Sequence, residues 1–508
     1  MTRRDYREPP GGRIDGVSRL SPRRAATVLT TLARAGLLAP TRPDRLLGMA
    51  AAMGLYGITP AGGYAAQAVR DPGRVAVVDE DGALTYGEVD TLTDALANAL
   101  RERALGESDV VGVRCGNTRA FVLAVVALGK VGATAVLLNP GASDPLLEDI
   151  AASEGLTAIL SDTPGGPVPA HVVADLLDGA PAGRPRPPRE HGRFVILTSG
   201  TTGRPKGAAR SAPASLDPIV AVLSVIPLKR GETTVVAAPL FHAWGFAQWL
   251  LALALGSTVV LTGAFDPERV LRAVEENEVT ALIAVPVMLR RLLAVGTAND
   301  ASSLRVVAVS GSALPHDVAT AFLDRFGDVL YDLYGSTEVA WATIATPEDI
   351  RLGSVGKPPF GTTVRLYDGR IFVGNDLLVE GMDKEMRDGL MATGDLGRFD
   401  DDGRLYVVGR EDDMVVSGGE NVFPQPVEEA ISSLPGVADV AVVGVPDEEF
   451  GQRLRAVVVR SDPSLTEDAV RDAVRARLAR HYVPRDVVFA DALPRNAAGK
   501  VLRRELLS

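Results

Sequence analysis

A single cysteine, Cys115, stands in a chain of 508 residues, so no intramolecular disulfide and no cysteine-built metal cluster can form. That usage fits a reducing compartment, and the cytoplasm is the expected location. The local string VVGVRCGN places no activating partner beside the thiol, so Cys115 reads as a packing residue at a strand end. Excess positive charge is also missing. A formal net charge of −11 disfavours nonspecific binding of the chain as a whole to nucleic acid or an anionic membrane. Long apolar runs are absent too. The longest stretch lacking Asp, Glu, Lys and Arg runs from Thr233 to Phe265, and Pro239, His242, Gly245, Gly256 and Gly263 interrupt it. Those breaks predict strand, turn, helix and strand, a buried β-α-β unit in place of a membrane span. The opening MTRRDYREPPGGR leads into no apolar segment of the kind a secretory leader needs.

What is present is average globular composition, 46% hydrophobic and 23% charged, in a chain long enough for two or more domains. Residues 22–70 carry helical apolar spacing, then VAVVDEDGALTY predicts a hairpin turning at Asp-Gly. From there to about Asp400, β-branched runs alternate with helical ones, as in VVGVRC, AFVLAVVALGKVG and ATAVLLN. Such alternation predicts an α/β fold: mainly parallel sheets covered by helices. The Pro- and Arg-rich run 181–190 reads as an exposed connector. Beyond Gly409 the texture changes to a compact α+β pattern able to form its own small core. The expected division is a helical extension over 1–65, a large domain over 66–411 and a small domain over 412–508. The chain shows no internal repeat.

The strongest chemical signal is LTSGTTGRPKG, Leu197 to Gly207, following the apolar run RFVIL. Small hydroxyl residues and glycines let backbone N–H groups and side-chain hydroxyls approach phosphate oxygens, and Lys206 adds a positive charge. Pro205 and Gly207 flank that lysine where a Walker loop needs Gly and Ser or Thr, so this is a different phosphate loop. The stretch resembles the signature of the AMP-forming acyl-CoA synthetase superfamily, the adenylate-forming enzymes that include luciferases and peptide-synthetase adenylation domains. Further blocks follow in that family's order, covering essentially the whole chain after about residue 60.

The resemblance implies a site, residue by residue. Thr198, Ser199, Gly200, Thr201, Thr202, Gly203 and Lys206 would hold the ATP phosphates. PLFHAWG, Pro239 to Gly245, resembles the block whose His242, Trp244 and Gly245 would border the acid. VSGSALP, Val309 to Pro315, resembles the turn in which Ser310, Gly311, Ser312 and Ala313 lie beside adenine and substrate. YGSTE resembles the block that would place Tyr334 against adenine, Gly335 and Ser336 beside the nucleotide, Thr337 at the α-phosphate and Glu338 on magnesium. A hard cation bound by one carboxylate together with substrate phosphates is usual magnesium chemistry. Trp341 would also line the acid pocket. TGD supplies Asp395 for the ribose hydroxyls, and GREDDMVVSGGENVFP supplies Arg410 at ribose and phosphate and Asp412 as hinge. LPRNAAGKVLR supplies Lys500, the lysine expected to reach the acid and the α-phosphate.

The implied activity is ATP-dependent formation of an acyl-adenylate with pyrophosphate release, then transfer to CoA, with ATP and Mg²⁺ required and CoA the expected co-substrate. No Ser-His-Asp or Cys-His motif suggests a protein nucleophile. The catalytic group would be Lys500, Thr202, Glu338 and His242, with the phosphate loop neutralising charge. The alternative is an adenylating enzyme of specialised metabolism that passes its adenylate to an amine or a carrier protein, or activates a small oxyanion such as nitrite. The helical preface and the wording VSGGENVFP most resemble fatty-acyl-CoA synthetases of actinobacteria, and Trp244, Phe246 and Trp341 suit a fatty or aromatic acid. Two departures stand out. Val364 to Glu380 is shorter than in many relatives, and Ser417 stands where many carry a basic residue. The identity of the acid and the oligomeric state are left open.

Overall fold

The protein is described here by a computed structural model over residues 21–198, 206–209, 215–296, 299–336, 338–379, 384–417, 420–447, 451–496 and 499–507. Three helices come first: α1 (Pro22–Arg34), α2 (Pro43–Tyr56) and α3 (Pro60–Arg70). All three carry proline at their start, where its fixed φ suits a helix and its missing N–H is no loss. The hairpin Val75–Asp79 with Gly82–Thr85 follows. Its loop is Glu80-Asp81, because Gly82 already pairs with Asp79. The turn therefore lies one residue earlier than the Asp-Gly signal suggests, with Gly82 at φ +102° closing it.

Among the described residues an eight-stranded sheet runs in the order Thr343–Ala345, Leu330–Tyr334, Val306–Val309, Ala281–Ala284, Thr233–Val236, Thr258–Val260, Val75–Asp79, Gly82–Thr85. Its six inner strands pair in parallel. A six-stranded sheet, Ala170–Val172, Ala158–Ser161, Val110–Arg114, Thr134–Leu137, Phe194–Thr198 and Lys206–Ala209, is likewise parallel except for its last pair. Parallel strands buried on both faces are continuously apolar, which explains runs such as ALIA and VVAV. The uncharged stretch from Thr233 resolves into strand, helix Ala243–Ala254 and a parallel neighbouring strand. No helix among the described residues is long and apolar enough to cross a membrane.

Two helices join the sheets. In α4 (Tyr86–Glu102) the Thr85 hydroxyl accepts from Glu88 N at 3.2 Å while the Glu88 carboxylate accepts from Thr85 N at 2.7 Å, a reciprocal cap. Helix α5 (Arg119–Val131) is buried from Phe121 to Val131, and that burial includes Lys130. The Lys130 ammonium has no exposure and donates to Asp90 at 2.7 Å and Asp94 at 2.6 Å on α4. Burial pushes the Asp94 carboxyl up in pKa, and Lys130 opposes the shift. The 181–190 connector is tied to the same helix: Asn98 donates to the carbonyls of Pro181 and Gly183, and Pro185 and Pro188 are buried. It is the exposed connector that composition predicts, with six of its ten residues exposed, anchored at Pro185 and Pro188 and by Asn98.

Two further five-stranded sheets complete the described chain, an antiparallel one over Thr363–Arg410 and a mixed one over Val415–Ala490, in which Gly451–Arg460 and Asp486–Ala490 pair in parallel. In the first, Thr363–Tyr367 pairs with Arg370–Gly374 through Asp368-Gly369, both at positive φ, the geometry that a two-residue hairpin requires. Even shortened, the 364–380 segment keeps this hairpin. The last sheet has its own apolar cluster around Val427, Ile431, Val458 and Val474. It rests on the large unit through Arg290, which donates to the Ala438 carbonyl, and through Ser432, whose hydroxyl donates to Asp317 at 3.4 Å.

Replacing Lys130 by Ala strands two carboxylates in a buried setting, which typically costs about 3–5 kcal/mol. Urea unfolding of Lys130→Ala is expected to show a loss of that order. Lys130→Ala/Asp90→Asn/Asp94→Asn is expected to recover much of it, because no unpaired charge is left behind.

Candidate functional site

The C-terminal ends of the two parallel sheets face a shared crevice, the usual ligand location in such folds. A cavity of about 950 Å³ opens there, lined from the large unit by Asn117, Arg119, Phe241, Val285 and Met288 and from the small unit by Arg495, Asn496 and Gly499. Asn117 organises its floor. Its amide donates to the carbonyls of Val236 and Ala238 at 2.9 Å each and accepts from Leu240 N at 2.9 Å. It thereby holds the PLFHAWG segment against the six-stranded sheet. Sequence reading missed Asn117, because its partners lie about 120 positions away.

The PLFHAWG segment turns sharply before helix Ala243–Ala254, and a Cβ at Gly245 would lie 2.3 Å from the Pro239 carbonyl, so only glycine fits. His242 caps that helix from outside and stacks its ring on Phe241 at 4.4 Å. The His242 Nε2 atom is buried without a hydrogen-bond partner. Burial lowers the imidazole pKa to about 4, so the ring is neutral at pH 7. Trp244 Nε1 is satisfied by the Ala284 carbonyl at 2.8 Å, whereas Trp341 Nε1 is buried and unpartnered. Two orphaned ring nitrogens are the mark of a site built for a polar guest. His242, Trp244 and Trp341 stand outside the residues lining the 950 Å³ cavity.

Two neighbouring strand ends carry the next residues. After Val306–Val309, Ser310 donates its hydroxyl to the Leu333 carbonyl at 2.8 Å, and Gly311 takes φ +97° beside Val285. Ser312 and Ala313 continue that turn. Tyr334 closes strand Leu330–Tyr334, and its hydroxyl donates to Asp395 at 2.5 Å and meets Thr393 Oγ1 at 3.4 Å. Burial, then the Asp395 charge, pushes the phenol well above its ordinary value. A Cβ at Gly335 would lie 2.2 Å from the Ala340 carbonyl, so this turn too requires glycine. Asn375 holds it from outside by donating to the carbonyls of Val339 and Trp341. Burial works to raise the Glu338 carboxyl, yet hydrogen bonds from Ser336 and its own N–H, with Lys384 and Arg410 nearby, keep it below the usual range.

Asp395 and Arg410 are cross-strand partners, with Arg410 Nε 3.6 Å from the carboxylate. Burial raises Asp395, opposed by Tyr334, Arg410, Lys500 and Lys384. Lys500 thus enters the field of this cluster from the far end of the chain. Its surface is exposed, yet neighbours strip enough water from the ammonium to lower its pKa, and Arg410 adds to that shift. The turn that carries it is locked by Asn496, whose side chain accepts from Lys500 N at 2.9 Å and whose N–H donates to the Lys500 carbonyl at 2.9 Å. Gly499 packs so closely that a Cβ would meet Val287 of the large unit at 2.7 Å.

Thr198 ends its strand opposite Lys206. Ser199, Gly200, Thr201, Thr202, Gly203 and Thr337 lie outside the described residues, as do the side chains of Thr198 and Lys206. Asp412 is exposed in the turn between strands Leu405–Arg410 and Val415–Ser417. Ser417 pairs with Glu420 and Gly451. Cys115 is buried just beyond strand Val110–Arg114, and burial pushes its thiol well up.

Comparison with known proteins agrees with this geometry. Residues 64–372 match the AMP-binding enzyme family, and residues 426–500 match its C-terminal domain. The chain belongs to the AMP-binding enzyme family. A feruloyl-CoA synthase of Amycolatopsis is 35% identical over 86% of this chain and 96% of its own length. The o-succinylbenzoate CoA synthetase of Bacillus subtilis, solved with its acyl-adenylate, superposes with TM-score 0.79 at 28% identity, covering 88% of this chain and 98% of that one. An amide bond synthetase of Marinactinospora thermotolerans superposes with TM-score 0.76 at 28% identity, covering 90% and 99%. As an AMP-binding enzyme the protein is an AMP-forming ligase.

The neutral, buried His242 makes stability depend on pH in a defined window. Its folded pKa, about 4, lies below the unfolded value near 6.5. Between those values the unfolded chain binds the extra proton, so stability falls as pH drops from about 6.5 to about 4. His242→Phe is expected to remove on the order of 2 kcal/mol of the loss between pH 7 and pH 5. Urea midpoints at the two pH values measure it, and an unchanged pH dependence would show that His242 titrates in the folded protein as it does in the unfolded chain.

Proposed function

We propose that this AMP-binding enzyme activates an aromatic acid, with Lys500 the residue that drives adenylate formation. The observation that carries the reading is the approach of Lys500, borne on the small unit, to the cluster of Tyr334, Asp395 and Arg410 on the large one. An acid carboxylate and the ATP α-phosphate are both anionic. Their union needs positive charge that strengthens as the new bond forms. The carboxylate oxygen attacks the α-phosphorus, the bond to the bridging oxygen breaks, and pyrophosphate leaves. Lys500 neutralises charge on the acid and the α-phosphate, and no protein nucleophile takes part. Asp395 accepts hydrogen bonds from the ribose hydroxyls, and Tyr334 packs on adenine while its hydroxyl holds Asp395 in place.

Glu338 is the carboxylate that would hold magnesium together with the phosphates, and Ser336, Lys384 and Arg410 favour its ionised form. Among the described residues no group of three His, Cys, Asp or Glu surrounds a metal position, which fits a cation bound largely by substrate oxygens. When bound, magnesium supplies positive charge to the phosphates and the departing pyrophosphate. The loop from Thr198 to Lys206, Thr202 included, would hold those phosphates. His242, Trp244 and Gly245 border the acid with Ser310 to Ala313 and Trp341. The apolar wall of Phe241, Val285 and Met288 and the relation to a feruloyl-CoA synthase support an aromatic acid. Residues 66–411 form the catalytic unit, and 412–508 turn about Asp412 to withdraw Lys500 for thiol attack. The enzyme is expected to act in the cytoplasm. Likeness to an amide bond synthetase favours, as the second reading, an amine acceptor for the same adenylate.

Lys500→Ala is expected to lower acid-dependent pyrophosphate release by about a hundredfold or more, while thioester formation from supplied acyl-adenylate and CoA stays within about threefold. Equal loss in both half-reactions overturns this division of labour. Across a panel of ferulate, benzoate, fatty acids and nitrite, pyrophosphate release is expected to be highest with the aryl acids and CoA. Equal turnover with amine replacing CoA would establish the second reading.

A further inference from the structure

The surface away from the crevice holds one feature that catalysis leaves unused. From Leu46 to Leu55 helix α2 carries no polar side chain. Its inner side packs Met49, Ala52, Met53 and Tyr56 toward α3 and the main core. The opposite side, Leu46, Leu47, Ala50, Ala51, Gly54 and Leu55, is exposed throughout. At 3.6 residues per turn these six positions cover about half of the helix circumference. Leu47 is 74% exposed, and Ile58 just past the helix end is 71% exposed. A Cβ at Gly54 would meet nothing within 4 Å, so among the described residues no neighbouring element covers the face. A helix that is apolar all round is normally buried on all sides, and α2 is buried on one.

Charge says what covers the other. Residues 21–58 contain five arginines, Arg23, Arg24, Arg34, Arg42 and Arg45, against one acid, Asp44, a net +4 in a chain of −11. Arg23, Arg34 and Arg42 are exposed, Arg42 beside Asp44. We propose that the exposed face of α2 docks on an anionic lipid bilayer, its leucines in the acyl boundary and the flanking arginines on the headgroups. The ten-residue apolar run is far too short to span, and its one-sided exposure and basic flanks suit a helix lying in the plane of the interface. The acidic remainder of the chain is repelled by the same surface and orients the basic end toward it. A second copy of the chain is disfavoured, because an isologous contact would set these arginines against themselves. Residues 1–20 carry five arginines and three acids, adding basic charge of the same sign to this end of the chain.

The test is flotation of the full chain with vesicles of pure phosphatidylcholine and with vesicles containing about 30% phosphatidylglycerol. Binding is expected to the anionic vesicles, weakening with added salt, and to fall about tenfold in Leu47→Glu/Ile58→Glu. Arg34→Gln/Arg42→Gln is expected to weaken binding and to flatten its salt dependence. Both variants leave pyrophosphate release in solution unchanged, which shows that they are folded. Failure to float with either vesicle, or flotation that Leu47→Glu/Ile58→Glu leaves intact, overturns the proposal. So does a dimer in sedimentation velocity that this variant dissociates, since the face would then belong to a second copy.

Discussion

Two anions have to be pressed together for an acid to become an acyl-adenylate, and the arrangement of this protein follows from that repulsion. Positive charge is needed at the meeting point, yet a permanently buried cation would be costly in the absence of the substrates. In the role we propose for it, Lys500 would meet the difficulty by riding on a separate unit. Its turn is held rigid by Asn496 and seated against Val287, while the residue itself remains exposed. The lowered pKa of the lysine and the raised pKa of Asp395 are two sides of one crowded, partly dried cluster.

The large unit supplies a frame stiff enough to aim that lysine. Its parallel strands end together on one edge, with Tyr334 and Ser310 at the ends of neighbouring strands and His242 beyond strand Thr233–Val236, strand Ala281–Ala284 lying between. Glycines occupy the points where loops touch: Gly245 against Pro239 and Gly335 against Ala340. Asn117 and Asn375 satisfy several carbonyls each, converting flexible turns into fixed ones. Farther from the crevice, the Lys130 pair with Asp90 and Asp94 locks α4 to α5, and the 181–190 strap is tied to the same helix. Rigidity is thus built from the back of the domain toward its reactive edge.

Much of this was legible before any coordinates. Alternating apolar runs announced parallel sheets because a strand buried on both faces has no room for polar positions. Strings such as YGSTE and LPRNAAGK were legible because their chemistry is local, a few small or charged residues at fixed spacing. Asn117 and Asn375 were invisible for the opposite reason: an isolated asparagine looks like a turn residue until the distant carbonyls it bridges are known. The 181–190 run is exposed, as its prolines suggest, but only the contacts from α4 show where it is tied down.

The exposed side of α2 adds a second kind of lesson, since apolar periodicity there reports a helix without saying how much of it the fold covers. Sequence alone determined the α/β class, the ordered motif blocks and the use of ATP to activate an acid, because these depend on residue type and short spacing. Tertiary structure alone decided that Tyr334, Asp395, Arg410 and Lys500 share one electrostatic field, that His242 is neutral, and that half of α2 stays uncovered. Each of those depends on which residues distant in the chain come close enough to exclude water, and that distance is set by packing.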